Sequence, residues 1–417
     1  MVVGTASHRL VEATVTLLDA AGLALAEQPV RISQRRHAFT FGCTGFEAIP
    51  LANDELIGED RERVVALYDR WLELFNVATL PFYWAGFEAR RGAPATQRLQ
   101  ATARWFVDRD VAVKGHPLCW HTETAPWLLD LTTDEIAAAQ VARIRREVED
   151  LRGLIDAWDV INEVVIMPVF DRYDNGITRL ARELGRVGIV RLVFDAARAA
   201  NPTAILLIND FDLSADYERL IEECLAAGVT IDAIGMQSHM HQGYWGEERT
   251  LELLERYARF GLPLHWTEST LVSGELMPPE IIDLNDHQVD EWPTTPDGEA
   301  RQADEVERHY RTLVGHRAVA AVTWWGLPDG GWLNAPSGLV RLDGSVKPAY
   351  EALHRLIKGE WWLAPTDLRT DTAGRVRFSG FPGMYDVETS GKRAEVVVDA
   401  PGEVAIQATL AAAPPPG

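Results

Sequence analysis

Two glutamates in this 417-residue chain stand where a carboxylate is seldom left without a use. Glu163 closes the run "WDVINE" (158–163) and Glu268 closes "LHWTE" (264–268), each at the polar end of an otherwise apolar stretch. A carboxylate among apolar neighbours loses solvation, so it must be paired, protonated or put to chemical work. Two such groups facing one another can cleave a glycosidic bond: one protonates the departing oxygen while the other attacks the anomeric carbon or activates water. The competing reading of either residue alone is a strand-end charge paired with a nearby Arg or His. Two acids together, with His and Trp around them, favour chemistry.

The elements that must position these acids are legible as a repeating texture. From residue 37 onward eight short apolar runs alternate with amphipathic, charge-laced stretches. The runs are "HAFTFG" at 37, "LFNVATL" at 74, "VAVKGH" at 111, "IDAWDVINE" at 155, "AILLIND" at 204, "IDAIGMQSH" at 231, "LPLHWTE" at 262 and "AVAAVTWW" at 318. Between them lie helical patterns such as "DEIAAAQVARIRREVEDL", opened by a capping sequence "TTDE" at 132–135. Eight βα alternations predict an α/β fold, a parallel (β/α)8 barrel over residues 37–358. A doubly wound open sheet would bring a glycine-rich phosphate loop after an early strand, and the sequence contains none. The runs end in polar groups: Cys43, Thr79, His116, Asn162 and Glu163, Asn209 and Asp210, Gln237 and His239, Thr267 and Glu268, and Trp325. The C-terminal ends of barrel strands are where such enzymes keep their active sites.

The two ends of the chain read as β structure. Residues 9 to 34 alternate apolar and polar positions around Asp19-Ala20-Ala21-Gly22, the pattern of a hairpin. Residues 359–410 carry several short strands separated by "DTAGR", "GFPG" and "SGKR" turns. Residues 1–36 are too few to fold alone, so the expectation is that they join 359–410 in one β-sandwich beside the barrel. Trp361 and Trp362 would then pack at the junction, and 411–417 would form a disordered tail.

Forty basic against sixty-two acidic residues give a net charge of −22, which repels phosphate backbones and anionic lipid. The expected partner is a neutral carbohydrate, with no nucleic acid and no membrane, and the expected working state is a monomer. Cys43, Cys119 and Cys224 are read as free thiols without metal spacing. His116 and His121 are five residues apart across a strand-to-loop turn with no HxH on the first strand, and His239 with His241 has no placeable carboxylate partners, so no cofactor and no metal are expected. The N-terminal segment has Arg9 and Glu12 where a signal peptide would be apolar. A cytoplasmic location is expected for the chain as written, and secretion if a leader has been removed.

Several of these runs together carry a family resemblance. "WDVINEVV" resembles the acid/base segment of family 10 glycoside hydrolases, the retaining endo-β-1,4-xylanases. "GHPLCWHTETAPWL" (115–128), "LLINDFDL" (206–213), "IGMQSHMH" (234–241), "LPLHWTES" (262–269) and "TWWGLPDGGWL" (323–333) are similar to its other blocks, in order, over roughly residues 37–357. The resemblance implies Glu163 as general acid/base, Glu268 as nucleophile, and Asn162 as ligand of the sugar 2-hydroxyl. It implies a pocket lined by His116, Trp120, Gln237 and His239, closed over by Trp325 and Trp332. It also implies cleavage of β-1,4-xylosidic bonds in xylan or xylo-oligosaccharides by double displacement. The alternatives are a retaining β-glycosidase of the same clan with another glycone, and a non-catalytic carbohydrate-binding barrel.

The departures are equally specific. Where the family carries Glu, Asn and Lys as sugar ligands before a Trp, this chain has Thr79, Leu80 and Tyr83, and only Trp84 remains. Glu123 replaces a glutamine, and Thr270 stands where an aspartate orients the pocket histidine. Tyr83, Trp84 and Glu123 complete the expected substrate-binding set.

Overall fold

The computed structural model describes residues 6–412. Its strands, in chain order, are β1 (Val11–Leu18), β2 (Pro29–His37), β3 (Thr40–Thr44), β4 (Val77–Pro81), β5 (Ala112–His116), β6 (Ala157–Asn162), β7 (Ile205–Asp210) and β8 (Ala233–Met240). These are followed by β9 (Leu264–Leu271), β10 (Val319–Trp324), β11 (Thr366–Arg369), β12 (Arg375–Gly380), β13 (Gly383–Thr389), β14 (Lys392–Val398), β15 (Gly402–Thr409) and β16 (Ala411–Ala412). Strands β3 to β10 form a closed barrel, with β10 pairing in parallel to both β9 and β3. This is the (β/α)8 barrel expected from the sequence.

The barrel strands show little alternation because both faces are covered, the inner by barrel-filling side chains and the outer by helices. In β7, for example, Leu206, Leu207, Ile208, Asn209 and Asp210 are all buried. The helices between them form where the amphipathic period predicted. The helix Thr133–Asp150 opens with the capping box read at "TTDE": the Thr132 hydroxyl accepts from the Glu135 amide, and the Glu135 carboxylate accepts from the Thr132 amide at 2.9 Å. Its fully buried Arg143 donates to the carbonyls of Phe82, Leu118 and Pro117, tying together the segments that follow β4 and β5.

Strands at the two chain ends alternate in burial, as expected for sheets with one face in a core and one in water. The hairpin expected around Asp19–Gly22 is only half realised. The turn is there, with the Asp19 carboxylate accepting from the amides of Ala21 and Leu23, both at 2.9 Å. Beyond one bridge between Leu18 and Ala24, however, the two strands part. β1 lies between β12 and β15, while β2 lies between β11 and β13 in the facing sheet. Both edges of β1 are thus filled by C-terminal strands, which leaves no edge for β2. The two chain ends interlock in one sandwich whose core includes Val15, Leu17, Ile32, Val376, Tyr385 and Val396.

The sandwich docks on the base of the barrel, opposite the functional end. The Arg9 guanidinium donates to the carbonyls of Val314, His316 and Val319 at 2.7, 2.7 and 2.6 Å, at the entry to β10. Trp361 stacks on Phe41 and Trp362 packs edge-on against His37. Where a tail was expected from 411, Ala411 and Ala412 instead pair with Arg393 and Lys392, because the edge of β14 is open to them. Residues 413–417 lie outside the described residues. No helix among the described residues is long and apolar enough to cross a membrane.

Candidate active site

Glu163 follows β6 and Glu268 lies within β9, two strand positions that flank β7 and β8 at the C-terminal mouth of the barrel. Glu163 has a left-handed backbone, φ 57°, a conformation costly for a residue with a Cβ and sustained here by its surroundings. Its amide donates to the Asn209 carbonyl at 2.8 Å, fixing the bend that aims its side chain into the mouth.

The intervening strands supply an amide cluster that joins the two acids. Asn209 Nδ2 donates to Glu268 Oε1 at 2.9 Å and to Asn162 Oδ1 at 2.8 Å. Gln237 Nε2 donates to the same Asn162 oxygen at 3.0 Å and to Glu163 Oε1 at 3.4 Å. Asn162 Nδ2 closes the circuit on Glu163 Oε1 at 3.2 Å. Space for this cluster depends on Gly235, where a Cβ would sit 2.4 Å from Asn209 Oδ1. The remaining oxygen of each acid has its own partner: Trp120 Nε1 donates to Glu163 Oε2 at 2.8 Å, and His239 Nε2 lies 3.0 Å from Glu268 Oε2.

These surroundings push the two carboxyls apart. Burial drives Glu163 up to about 8, and the charges of Glu268 and Asp210 add to the rise against the opposing hydrogen bonds of Trp120 and Gln237. Burial also raises Glu268, but that effect is outweighed. His116 opposes it by its charge when protonated, and His239 by its hydrogen bond and its charge when protonated, so Glu268 lies below the usual glutamate range. One acid therefore holds its proton at neutral pH while the other is a carboxylate, the division of labour that a two-carboxylate glycosidase needs. Asp210, also buried, is pushed up to about 7 while accepting from the amides of Val165 and Asp212.

Under the pocket lies a buried ion cluster. Asp159 accepts from Lys114 Nζ and His116 Nδ1, each at 2.7 Å, on a single carboxylate oxygen. Burial opposes ionisation of Asp159, yet the charges of Lys114 and His116 with their hydrogen bonds hold it at about 2. Its position between Trp158 and Val160 in "WDVINE" was the available signal, since an acid inside an apolar run requires partners. The neighbouring "VAVKGH" carries both of them.

The walls are aromatic. Tyr83 packs against His116 and Trp120 with ring centroids 5.9 and 5.6 Å away, and Trp325 lies 5.1 Å from His116. Trp332 covers His239 at 4.6 Å. Phe46, which sequence reading did not single out, packs edge-on against both Tyr83 and Trp325. It sits just past β3 in a run with no polar signature to mark it.

Ten of the twelve sequence-predicted site residues thus converge. Trp84 does not belong with them: its indole N–H bonds Glu88, its ring packs against Trp127 and under the Arg143 guanidinium, and it is buried in the scaffold. The single turn of helix starting at Trp84 rotates its side chain away from the mouth that Tyr83 faces. Glu123 is exposed at the rim, with its carbonyl accepting from Ala85 and its charge felt by Tyr83 and Tyr173. Asn162 lies in the site but is largely engaged: its oxygen accepts twice and one amide hydrogen is spent on Glu163. Thr79 and Leu80 are fully buried, and the Thr79 hydroxyl has no hydrogen-bond partner among the described residues. Thr270 reaches the pocket histidine through its hydroxyl, 3.4 Å from His239 Nδ1. The cysteines are free and buried.

Comparison with known proteins agrees with this geometry. The profile of glycosyl hydrolase family 10 matches residues 82–356, beginning just past the altered segment at Thr79 and Leu80. Endo-1,4-beta-xylanase B of Paenibacillus barcinonensis is 28% identical over 241 residues, covering 54% of this chain and 68% of that protein. Endo-1,4-beta-xylanase of Geobacillus stearothermophilus is 28% identical over 233 residues, covering 52% and 66%. The chain therefore spans about two thirds of the length of these relatives. Among solved structures, xylanase 10B from Thermotoga petrophila RKU-1 in complex with xylobiose superposes with a TM-score of 0.62 at 20% identity, covering 78% of this chain and 95% of that one, a likeness of fold. With two thirds of its length matched by the family profile, the chain belongs to glycosyl hydrolase family 10.

Proposed function

We propose that this chain is a retaining β-glycoside hydrolase acting on β-1,4-linked xylose chains, with Glu163 as general acid/base and Glu268 as nucleophile. The observation that carries the reading is the opposed ionisation of two carboxyls joined by one amide cluster. In the first step the Glu268 carboxylate attacks the anomeric carbon, the bond to the leaving oxygen breaks, and Glu163 gives that oxygen its proton. In the second, Glu163 takes a proton from water as the water attacks the glycosyl ester, releasing Glu268 and a sugar of retained configuration. Asn209 and His239 hold Glu268 in line, while Gln237, Asn162 and Trp120 orient Glu163.

The preference for xylose chains is supported by the names of the curated relatives. With Thr79 and Leu80 buried, sugar binding falls chiefly on the faces of Tyr83, Trp120, Trp325 and Trp332, against which pyranose C–H surfaces pack. Fewer polar anchors point to short or decorated xylo-oligosaccharides rather than long unbranched xylan. The working unit is a single chain, since both acids and their partners lie on one barrel.

The test is hydrolysis of 4-nitrophenyl β-xylobioside by the wild type, Glu268→Ala and Glu163→Ala, with azide added to each variant. The reading expects activity in the wild type and an azide product of inverted configuration from Glu268→Ala. From Glu163→Ala it expects one of retained configuration. Binding of xylo-oligosaccharides without any hydrolysis would overturn it in favour of a carbohydrate-binding barrel.

A further inference from the structure

We propose that the segment between β9 and the helix Pro296–Val314 is a strap that walls off one end of the substrate cleft, and that Arg172 ties it down. The proposal rests on the assignment of Glu163 and Glu268 and adds to it the length of sugar chain that the site accepts on one side of the cut.

The direction of the cleft follows from the two acids. One follows β6 and the other lies on β9, with β7 and β8 between them on one side of the ring and β10, β3, β4 and β5 on the other. The carboxyls of a glycosidase flank the bond they cut. A sugar chain held between them therefore runs crosswise to the line that joins them, out over β7 and β8 at one end and over β3 and β4 at the other.

The strap crosses the first of these ends. After β9 the chain is held to the loop that follows β8: the Met277 amide donates to the His241 carbonyl at 3.0 Å, and Gln242 Nε2 donates to the carbonyls of Pro278 and Ile281, both at 2.8 Å. It then reaches the loop that follows β6, where the Arg172 guanidinium donates to Asp283 at 2.6 Å and to Asp286. From there it turns back, and Thr294 bridges to Gly274. The segment thus leaves one acid-bearing strand and meets the loop of the other, which carries it past the ends of β8 and β7. Burial raises the Tyr173 hydroxyl, and the charges of Glu123 and Glu163 add to the rise, so the tie at neighbouring Arg172 lies beside the mouth.

The strap is also stiff, because it has a core of its own. Met277 and Trp292 are buried with Val272 and Ala335, and Ile281, Leu284 and Leu333 pack around them. Leu333 and Ala335 belong to the loop that carries Trp332, so the strap and that loop brace one another. At the root, Lys347 Nζ donates to Ser273 Oγ at 2.8 Å. A long loop packed on itself in this way is commonly functional. With this wall in place the arm of substrate over β7 and β8 is short, and a long chain is accepted near one of its ends.

The experiment is digestion of xylohexaose labelled at its reducing end, together with the viscosity of a xylan solution. The proteins are the wild type, Arg172→Glu, and a chain in which 276–292 are replaced by the dipeptide Asn-Gly. Gly274 and Thr294 already lie side by side, so a two-residue turn can join the strap's ends. The expected wild-type result is one dominant cut near one end of xylohexaose and a slow fall in viscosity for each bond broken. The shortened chain should cut internal bonds as well, and its kcat/KM for xylohexaose relative to 4-nitrophenyl β-xylobioside should rise roughly tenfold. Arg172→Glu, which leaves the core around Trp292 in place, should move the same way by roughly twofold, as suits an exposed ion pair. Even internal cutting by the wild type overturns the proposal, as does an unchanged cut pattern in a shortened chain that still hydrolyses the xylobioside. If the shortened chain does not fold, an unchanged pattern in Arg172→Glu overturns it. Calorimetry in the Glu268→Ala background asks the same question without turnover: xylohexaose should gain more affinity over xylotriose once the strap is removed, and an equal gain with and without it overturns the strap. A wild type that hydrolyses no xyloside would instead sink the catalytic reading, and the binding comparison would then judge the strap alone.

Discussion

Trp120→Phe isolates one interaction on the residue assigned as acid. The indole N–H donates to Glu163 Oε2 at 2.8 Å, the shortest of three donors on that carboxyl; Asn162 and Gln237 lie at 3.2 and 3.4 Å on the other oxygen. Phenylalanine keeps a ring beside Tyr83 but removes the donor. A hydrogen bond to an ionised group contributes about 1.5–3 kcal/mol, and a pKa unit corresponds to about 1.4 kcal/mol. Its loss should raise the Glu163 carboxyl by about one to two units from its starting point near 8. Glu163 must be protonated to assist departure, so activity falls as pH rises through its pKa. The alkaline limb of kcat/KM should therefore shift upward by that amount in the variant. Xylo-oligosaccharides are the appropriate substrates, because their poor leaving group makes proton donation decisive. An alkaline limb that stays in place or moves down would refute both the role of the indole and the assignment of Glu163 as the acid.

Three further outcomes follow from the buried parts of the site and from the domain junction. Asp159→Asn strands the Lys114 ammonium, which is 5% exposed, without its anion. Denaturant unfolding should show a loss of roughly 3–5 kcal/mol, partly recovered by adding Lys114→Met. Because Asp159 is depressed from 3.8 to about 2, its contribution is full above pH 4. It should fade as pH falls toward 2, and stability measured across that window should be flatter in the double variant. Gly235→Ala places a Cβ 2.4 Å from Asn209 Oδ1 and should push that amide off Asn162 and Glu268. The expected result is a kcat at least about tenfold lower, measured with the same oligosaccharides. Arg9→Ala deletes three hydrogen bonds between the sandwich and the base of the barrel. It should reduce unfolding stability by about 2–3 kcal/mol, with kcat unchanged because the clamp lies at the opposite end from the acids.

Replacement of polar side chains at Thr79, Leu80 and Tyr83 leaves the amide cluster between the acids intact, since its members come from β6, β7 and β8 rather than from β4. Substrate preference can therefore drift on one wall of the barrel without disturbing the proton chemistry on the other. The β4 side supplies Tyr83 and, just past β3, Phe46, so aromatic surface stands where the family pattern has hydrogen-bonding groups.

Sequence alone determined the barrel, because eight covered strands leave eight apolar runs and eight amphipathic helices whatever the details of packing. It also determined the two acids, because a glutamate at the end of such an apolar run has few other uses, and "WDVINE" and "LHWTE" put both toward the C-terminal ends of their strands, although β9 runs on past Glu268 to Leu271. What it could not determine was direction. Trp84 and Tyr83 are neighbours in sequence, yet one turn of backbone sends Trp84 into the scaffold beside Arg143 and leaves Tyr83 on the wall of the mouth. Strand partners were equally hidden: the alternation of β1 and β2 fits a hairpin, but hydrogen-bonding edges are settled by every strand competing for them, including those more than 300 residues away. The opposed ionisation of Glu163 and Glu268 likewise belongs to the tertiary structure. Their pKa values depend on burial and on Trp120, His116, His239 and Asp210, groups that only the closed barrel brings within reach.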